Sequence, residues 1–401
     1  MPTPAITRRL PLLLGFLIAV GPVSTDMYLP AFPAIAKALG SAGAPQLSLA
    51  TYFVGLAMGQ LTQGPVSDRL GRRRPLLAGL VIYTLASAGC ALSWNVASFA
   101  GFRFLAALGC SAGVVIPRAM VRDLADGPAA AKLFSKLMLV MGVAPIAAPM
   151  LGAASLSLGS WRLIFGVCVI YGVIAVACVW FFLPDTLPPE RRTRLGLAAV
   201  IRRYGEISRE QAFIAHALIL MFTSGALFAY LSGSPQIFVG LYGWSTMDYA
   251  ILFGVLSVAY IGYNQLNPWL VARYGIAPVI SVAGGLLLGA SFLLVLLAWH
   301  PAGPFAVVAG LLIGEIGFGL VLPCAMVGAL SRHQAHAGSA SALMGTLQYS
   351  GGALSCFAIG LWAENSIAPM AVAMLICASF AMLAASRRPR LTFVPAESSN
   401  A

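Results

Sequence analysis

The stretch Gly64-Pro65-Val66-Ser67-Asp68-Arg69-Leu70-Gly71-Arg72-Arg73-Arg74 joins two long apolar segments. The glycine and proline at its start allow a helix to bend and to approach a neighbour closely, and Gly71 permits a tight turn. Asp68 and Arg72 stand one helical turn apart, so their side chains can pair. A basic loop between apolar segments can also serve only to set the orientation of a membrane protein.

The rest of the chain is as apolar as the segments around this loop. Of 401 residues, 60% are hydrophobic and 9% are charged, whereas about a quarter of the residues in a soluble domain are charged. This composition excludes a soluble enzyme. The apolar runs are continuous and about 20 residues long, which is typical of transmembrane helices and not of barrel strands. The sequence therefore predicts an all-α polytopic membrane protein with twelve transmembrane helices, at residues 10–29, 46–66, 75–94, 98–119, 135–158, 163–183, 211–233, 247–268, 276–298, 304–329, 339–361 and 367–386.

The basic residues indicate how these helices are oriented. In a soluble protein the formal net charge of +12 would suggest a nucleic-acid partner, but here Lys and Arg cluster in short loops between apolar runs. If the N-terminus is cytoplasmic, all but three of the 24 Lys and Arg residues lie in cytoplasmic segments, the exceptions being Lys37, Arg103 and Arg162. The positive-inside rule therefore predicts that both termini are cytoplasmic and that the charge reflects topology, with no nucleic acid bound.

The longest polar stretch, Pro184 to Glu210, divides the spans six and six. Its prolines end a helix, and its charges keep it at the membrane surface. An Arg-x-Gly sequence after the second span, at Arg69, recurs after the eighth, at Arg273, which agrees with an internal repeat. We predict an N-terminal bundle at residues 1–184, a cytoplasmic linker at 185–210, a C-terminal bundle at 211–387 and a cytoplasmic tail at 388–401.

Enzymatic, metal and nucleotide sites have no signature in this sequence. The seven cysteines lie within apolar runs, without a Cys-x-x-Cys pair, and are expected to pack in helices. A phosphate-binding Gly-x-x-x-x-Gly-Lys loop and a His, Cys or carboxylate cluster at the membrane face are also missing. We expect no catalytic residue, no metal and no cofactor, so energy would come from an ion gradient or from the substrate's own gradient.

The basic loop quoted above, between spans two and three of a six-plus-six protein, resembles the loop motif of the major facilitator superfamily. The resemblance implies two pseudo-symmetric six-helix bundles that rock around a central site. In that family the motif forms a cytoplasmic gate latch with an acid at the end of span four and with the start of span eleven. Here the latch would comprise Asp68, Arg69, Arg72 and Asp123, with the span that starts at Ala337-Gly338-Ser339 presenting its positive helix end to Asp68.

The end of the first span, Asp26-Met27-Tyr28-Leu29-Pro30-Ala31-Phe32-Pro33, resembles the bicyclomycin and chloramphenicol resistance transporters. The segments Arg118–Asp123, Thr186–Arg192 and Ala337–Ala342 are similar to the same group, so the resemblance covers essentially the whole chain. Members of the group are 12-span drug:proton antiporters of the bacterial inner membrane. The resemblance implies export of small amphipathic compounds such as chloramphenicol- or bicyclomycin-like drugs, and requires no more than a monomer.

Asp26 and Arg103 are charged residues that fall within predicted spans and have a predicted role. Asp26 lies about 24 Å along its predicted helix, in the outer half of the membrane. Burying a carboxylate there costs free energy, so such a residue usually has a function. Asp26 is predicted to carry the proton, unless it lies in water at the end of the helix. Arg103 in span four needs a partner or a wet cavity, and by resemblance it couples the proton acceptor to the substrate site. The span-four motif of the family has glutamine three residues after this arginine, where the present sequence has Ala106. The alternative is that Arg103 only anchors its helix near the outer membrane interface.

Span five carries Gly142, Pro145, Pro149 and Gly152. Prolines four residues apart share a helix face, and each removes a backbone hydrogen bond, so this helix can bend where the two bundles meet. The pattern partly matches the glycine- and proline-rich span-five motif of antiporters in the superfamily, which favours antiport. Passive kinked spans also contain proline.

The resemblance gives no role to Glu315 in span ten. An acid within a span is a candidate proton or cation site, and a pairing with His216 of span seven is one hypothesis. Other polar or amphipathic residues of the central spans are candidates for the substrate cavity, although such aromatics also belong to interface belts or to packing. The full set of cavity candidates is Tyr28, Tyr52, Gln60, Tyr230, Tyr260, Asn264, Glu315 and Gln348.

Together these features predict a proton-coupled multidrug efflux transporter that works by alternating access. Its partners would be a small-molecule substrate, protons and the lipid bilayer. An uptake symporter or facilitator for a small nutrient or metabolite is the alternative transporter. An integral-membrane enzyme and a membrane sensor that binds without transport are the alternatives from other classes.

Overall fold

The structure is a computed structural model that describes residues 4–124, 127–192, 196–300, 303–333 and 336–388. Within these ranges the chain forms helices joined by short turns, with no β-strand, which confirms the all-α prediction. Of the predicted tail, only Arg388 falls inside the described residues. The helices are α1 (Pro4–Ile18), α2 (Val20–Asp26), α3 (Phe32–Ala38), α4 (Ala44–Leu70), α5 (Arg73–Ala91), α6 (Val96–Leu124), α7 (Gly127–Ser157), α8 (Arg162–Phe182), α9 (Leu197–Ile207), α10 (Gln211–Pro235), α11 (Thr246–Tyr274), α12 (Ile276–Trp299), α13 (Pro304–Leu330), α14 (Ala337–Leu361) and α15 (Ala368–Ser386).

Ten segments of the described chain are long and apolar enough to cross a membrane. Helices α4 and α14, of 27 and 25 residues, are also long enough but are more polar. At 1.5 Å per residue each is more than about 35 Å long. Adding these two to the ten apolar segments gives the twelve predicted spans, and each coincides with one of the predicted runs.

The first span differs in detail from the prediction. The apolar segment continues from Leu10 to Ala38 rather than ending at residue 29, and it is broken twice. The first break follows α1, where Pro22 has no N–H to donate to the carbonyl of Ile18. The second follows Asp26, after which a 3₁₀ turn at Leu29–Ala31 leads into α3. Asp26 is therefore the last residue of a short helix.

Small residues set how closely the helices pack. A Cβ atom placed on Gly59 of α4 would lie 2.0 Å from Oγ of Ser111 in α6. The same helix carries Gly55, whose added Cβ would lie 2.5 Å from the carbonyl oxygen of Phe104. The Gly-x-x-x-Gly spacing of α4 thus allows direct contact with α6, as expected for membrane helices.

Two pairs of helices connect the first six spans to the last six. Helix α4 packs against α14, and α7 packs against α11. At the centre, the ring of Phe53 lies 4.1 Å from that of Phe228 and 5.9 Å from that of Tyr349. The polar segment between α8 and α10 carries the amphipathic helix α9. The exact boundaries of the two bundles and of the linker stay predictions.

Candidate functional site

Three of the predicted latch residues meet at one end of the bundle, which we call the basic end. The guanidinium of Arg72 donates from Nε and Nη2 to Oδ2 and Oδ1 of Asp123 at 2.8 and 3.2 Å, and from Nη1 to Oδ1 of Asp68 at 2.5 Å. Burial lowers the pKa of Arg72, but the hydrogen bond to Asp123 and the charge of Asp68 raise it by more, so the net pKa shift is upward. Arg69 is exposed and lies outside this cluster.

The linker completes the cluster in a way that the sequence did not reveal. Oδ1 of Asp185 accepts a hydrogen bond from the backbone N–H of Arg72 at 2.8 Å, and Thr186 donates to Asp123 at 3.1 Å. Gly71, between α4 and α5, has φ +86°, and a Cβ there would lie 2.1 Å from Oδ2 of Asp185. Both the backbone conformation and the close approach therefore require glycine at this position.

The favourable position of the start of α14 near Asp68 stays a prediction. Among the described residues, the hydrogen bond of the Asp68 side chain goes to Arg72. Helix α9 also lies at this end: it packs against α14, and its Tyr204 donates to the carbonyl oxygen of Leu61 in α4 at 3.0 Å. Burial, and then the charge of Asp68, raise the pKa of Tyr204, so this phenol lies near the carboxylate.

Asp26 is buried, with 6% of its surface exposed. This excludes the alternative in which it is a water-exposed residue at a helix end. In the described chain no Lys, Arg or His forms an ion pair with it. Its carboxyl group lies within electrostatic range of three tyrosines from the last six spans, Tyr230, Tyr249 and Tyr349.

Arg103 is also buried, and it is held by aromatic rings and a backbone carbonyl rather than by an acid. Its guanidinium lies 4.0 Å from the ring centre of Tyr52 and 4.3 Å from that of Tyr28. Nη1 donates to the carbonyl oxygen of Ser24 at 3.1 Å, whereas Nε and Nη2 have no hydrogen-bond partner in the described chain. Arg103 therefore touches the helix of Asp26 two residues before the acid.

The span-five residues lie on one continuous helix, α7, with Pro145 and Pro149 inside it. Gly152 meets the break in the first span, because a Cβ on it would lie 1.7 Å from the carbonyl oxygen of Met27. Gly142 faces the last six spans: a Cβ added to it would lie 3.7 Å from the side chain of Ile261 in α11. Helix α7 thus connects the neighbourhood of Asp26 to the last six spans.

The cavity candidates fall into different surroundings. Tyr28 and Tyr52 are fully buried, with their rings against Arg103. Gln60 packs against Gly345 of α14, and Tyr230 stacks on Phe253 with ring centres 6.2 Å apart. The remaining candidates, Tyr260, Asn264, Glu315 and Gln348, lie in α11, α13 and α14.

The proposed pairing of Glu315 with His216 is wrong. His216 packs against Gly328 of the same helix as Glu315, and its Nδ1 is hydrogen bonded to the carbonyl oxygen of Ala212 at 2.8 Å. Gly328 lies about 20 Å further along α13 than Glu315, at 1.5 Å per residue. The sequence placed His216 in span seven and Glu315 in span ten but could not give their relative depths.

The end opposite the basic end is closed by side-chain amides, and we call it the amide end. Gln46, at the start of α4, donates from Nε2 to Oε1 of Gln236 at 2.9 Å, and Gln236 donates to Oδ1 of Asn365 at 3.3 Å. Gln236 begins a π-helix, Gln236–Leu241, an element that is frequent at functional sites. A cavity of about 360 Å³ borders this bridge and is lined by Phe32 among others. None of these amides was singled out from the sequence.

The chain belongs to the Major Facilitator Superfamily, whose family model matches residues 14–356. The fold agrees: the solved D-xylose-proton symporter superposes with a TM-score of 0.74 at 17% identity, covering 94% of this chain and 97% of that one. The protein is therefore a multi-pass membrane protein of a transporter family.

Proteins of similar sequence indicate which group within the superfamily the chain resembles. The chain is 37% identical over 397 residues to the uncharacterized MFS-type transporter YdgK of Bacillus subtilis, covering 96% of both. It is 31% identical to a chloramphenicol resistance protein of Pseudomonas aeruginosa, over 88% of this chain and 84% of that protein. It is 29% identical to a bicyclomycin resistance protein homolog of Haemophilus influenzae, over 93% of this chain and 94% of that protein. These matches confirm the resemblance to the bicyclomycin and chloramphenicol resistance group.

Proposed function

We propose that this protein is a proton-driven drug exporter, which exchanges an external proton for a small amphipathic compound from the cytoplasm. The relatives named for chloramphenicol and bicyclomycin resistance support drug export. The observation that carries proton coupling is the position of Asp26: a buried carboxyl group without a cationic partner in the described chain, facing the other half of the protein.

Asp26 suits the role of proton carrier for a physical reason. Removing a carboxylate from water without a counter-ion costs several kcal/mol, and protonation removes most of that cost. When the central site opens to water, the ionised form is solvated again and the proton can leave. Loading and release would therefore follow the opening of the site to each side of the membrane.

Arg103 would transmit this change. Its hydrogen bond to the carbonyl oxygen of Ser24 ties it to the short helix that ends at Asp26. A change in the ionisation of Asp26 alters the electrostatic environment of a cation whose remaining donors, Nε and Nη2, have no partner in the described chain. Those donors are available to a polar group of the substrate.

The two ends would open alternately. By the positive-inside rule the basic end would be cytoplasmic, so the Asp68–Arg72–Asp123 cluster would act at the cytoplasmic gate and the amide end would close the outer side. No cofactor is required, because the proton gradient of the bacterial inner membrane supplies the energy, and one chain contains the whole site.

The test is proton release from acid-loaded everted membrane vesicles when drug is added. Chloramphenicol, bicyclomycin, a sulfonamide and tetraphenylphosphonium would be added separately to vesicles with wild-type protein, Asp26→Asn or Glu364→Gln. Glu364 is an exposed acid and provides the matched control. We expect drug to induce proton release in the wild type and in the control, and no release in Asp26→Asn. Uphill export at the wild-type rate by Asp26→Asn would contradict the role proposed for Asp26.

A further inference from the structure

Glu315 is a second acid buried within the membrane helices, and the mechanism above does not use it. It lies about 17 Å from the start of α13, at 1.5 Å per residue, and 2% of its surface is exposed. A carboxyl group at such a depth is expensive to maintain and marks a functional site by default.

The packing of α13 shows which way Glu315 faces. Gly317 lies against α12, because a Cβ on it would be 2.5 Å from Cβ of Leu287. Gly319, one turn after Glu315, lies against α11, where its added Cβ would be 2.9 Å from the carbonyl oxygen of Tyr260. Residues four apart share a helix face, so Glu315 is on the side of α13 that faces α11 and is turned away from α12.

No cation pairs with Glu315 among the residues that the structure describes. The buried guanidinium of Arg103 is held in the other half by Ser24 and two tyrosines, and His216 lies near the far end of α13. An ionised acid that is buried without a counter-charge is strongly stabilised when a positive group binds beside it.

Aromatic residues of α10 and α11 lie near this acid. The phenols of Tyr230 and Tyr260 lie within electrostatic range of Glu315. Tyr230 stacks on Phe253 nearly in parallel, at an interplanar angle of 14°. Aromatic faces attract organic cations, and the attraction is strongest where water is excluded. An unpaired carboxylate with aromatic side chains nearby has the chemistry of a site for an organic ammonium or phosphonium ion.

Tyr230 also connects this acid to the proposed proton carrier. Its phenol lies within electrostatic range of both Glu315 and Asp26. A positive charge bound at Glu315 would therefore disfavour a proton nearby, by Coulomb repulsion in a medium of low polarity. Binding of a cation and loss of a proton would be coupled through this shared neighbourhood.

We propose that Glu315, with Tyr230 and Tyr260, binds the positive charge of monovalent organic cations. The proposal deepens the proposed function, on which it rests, by adding lipophilic monocations to the substrates and giving them a site distinct from Asp26. Neutral compounds such as chloramphenicol would not need Glu315.

The test is direct binding of tetraphenylphosphonium and of chloramphenicol to the purified full-length protein. We expect Glu315→Gln to weaken tetraphenylphosphonium binding by at least about tenfold and to leave chloramphenicol binding within about twofold. Glu364→Gln should bind both ligands like the wild type, and Glu315→Asp, which keeps the charge, should retain part of the phosphonium affinity. Equal phosphonium affinity in the wild type and Glu315→Gln would overturn the proposal.

A second measurement needs no variant of Glu315. Protons and the cation compete for one carboxylate, so tetraphenylphosphonium should bind the wild type more tightly as pH rises, whereas chloramphenicol should show a smaller dependence. Phosphonium binding that does not change with pH would contradict the proposal. If binding depends on Glu315 while no compound drives proton release, the proposed antiport fails and the cation site stands.

Discussion

The backbone N–H of Arg72 donates to the carboxylate of Asp185 at 2.8 Å, across 113 positions of sequence. Arg72 belongs to the basic loop after α4, and Asp185 belongs to the start of the linker after α8. Arg192 forms an ion pair with the other oxygen of Asp185 at 3.0 Å. The linker is therefore attached to the cluster of Arg72, Asp68 and Asp123 and does not merely connect the two halves.

Removing this attachment should slow transport without abolishing binding. We expect Asp185→Ala to lower drug-driven proton release several-fold, because the loop of Arg72 loses a charge-assisted hydrogen bond of about 1.5–3 kcal/mol. Chloramphenicol binding to the purified protein should be unchanged. The matched control is Glu190→Gln, an exposed acid of the same linker. A wild-type release rate in Asp185→Ala would contradict a role for the linker in the latch.

The geometry of Arg72 makes a lysine an inadequate replacement. Lysine cannot bind both oxygens of Asp123 and reach Asp68 at once, because only the planar guanidinium offers several donors in a fixed arrangement. We expect Arg72→Lys to reduce the transport rate by about tenfold, which corresponds to about 1.4 kcal/mol. Arg74→Lys, at an exposed position in the same loop, should have no effect. The rate would be followed as drug-induced proton release from vesicles.

The aromatic rings around Arg103 should matter more than their hydroxyl groups. The guanidinium lies 4.0 Å from the ring centre of Tyr52, a contact that Tyr52→Phe keeps and Tyr52→Leu removes. We expect Tyr52→Leu to lower stability by about 1–2 kcal/mol and to lower Tm in detergent, with Tyr52→Phe close to the wild type. Equal Tm values for the two variants would show that the ring face contributes little.

Close contact between α7 and the break after Asp26 gives a steric prediction. A Cβ on Gly152 would lie 1.7 Å from a backbone oxygen, so Gly152→Ala must push the two helices apart. We expect lower Tm and severely reduced transport. Gly166→Ala in α8 is the control, because nothing lies within 4 Å of its added Cβ. Normal transport by Gly152→Ala would mean that α7 shifts without consequence.

The amide bridge between Gln46 and Gln236 should break during each transport cycle, when the two halves separate at this end. With Gln46 and Gln236 both replaced by cysteine, a short bifunctional thiol reagent should link α4 to the segment after α10 and stop transport, and reduction of a cleavable reagent should restore it. Each single cysteine variant, treated in the same way, is the control. Continued transport by the linked protein would exclude an opening at this end.

Hydrophobic runs and short motifs predicted the elements that local sequence determines. The twelve spans follow from continuous apolar segments, and the Asp68–Arg72 pair follows from a spacing of one helical turn. Asp185, Gln46 and Gln236 were not predictable, because polar residues in loops and at helix ends have many possible partners and long-range contacts leave no local pattern. The surroundings of Arg103 were missed for the same reason, since its aromatic neighbours come from α4, from α8 and from the turn after α2. The depth of His216 depends on where α10 begins, which hydropathy defines only loosely.

The two ends of the bundle differ in the chemistry of their polar contacts. At the basic end an ionic cluster holds the loop of Arg72 to α6 and to the linker, whereas the bridge from Gln46 in the first six spans to Gln236 and Asn365 in the last six contains only neutral amides. Amides do not titrate, and salt screens their hydrogen bonds far less than it screens ion pairs. In the proposed orientation the amide bridge that faces the environment would therefore keep its strength as external acidity and salinity vary, while the ionic cluster faces the buffered interior of the cell.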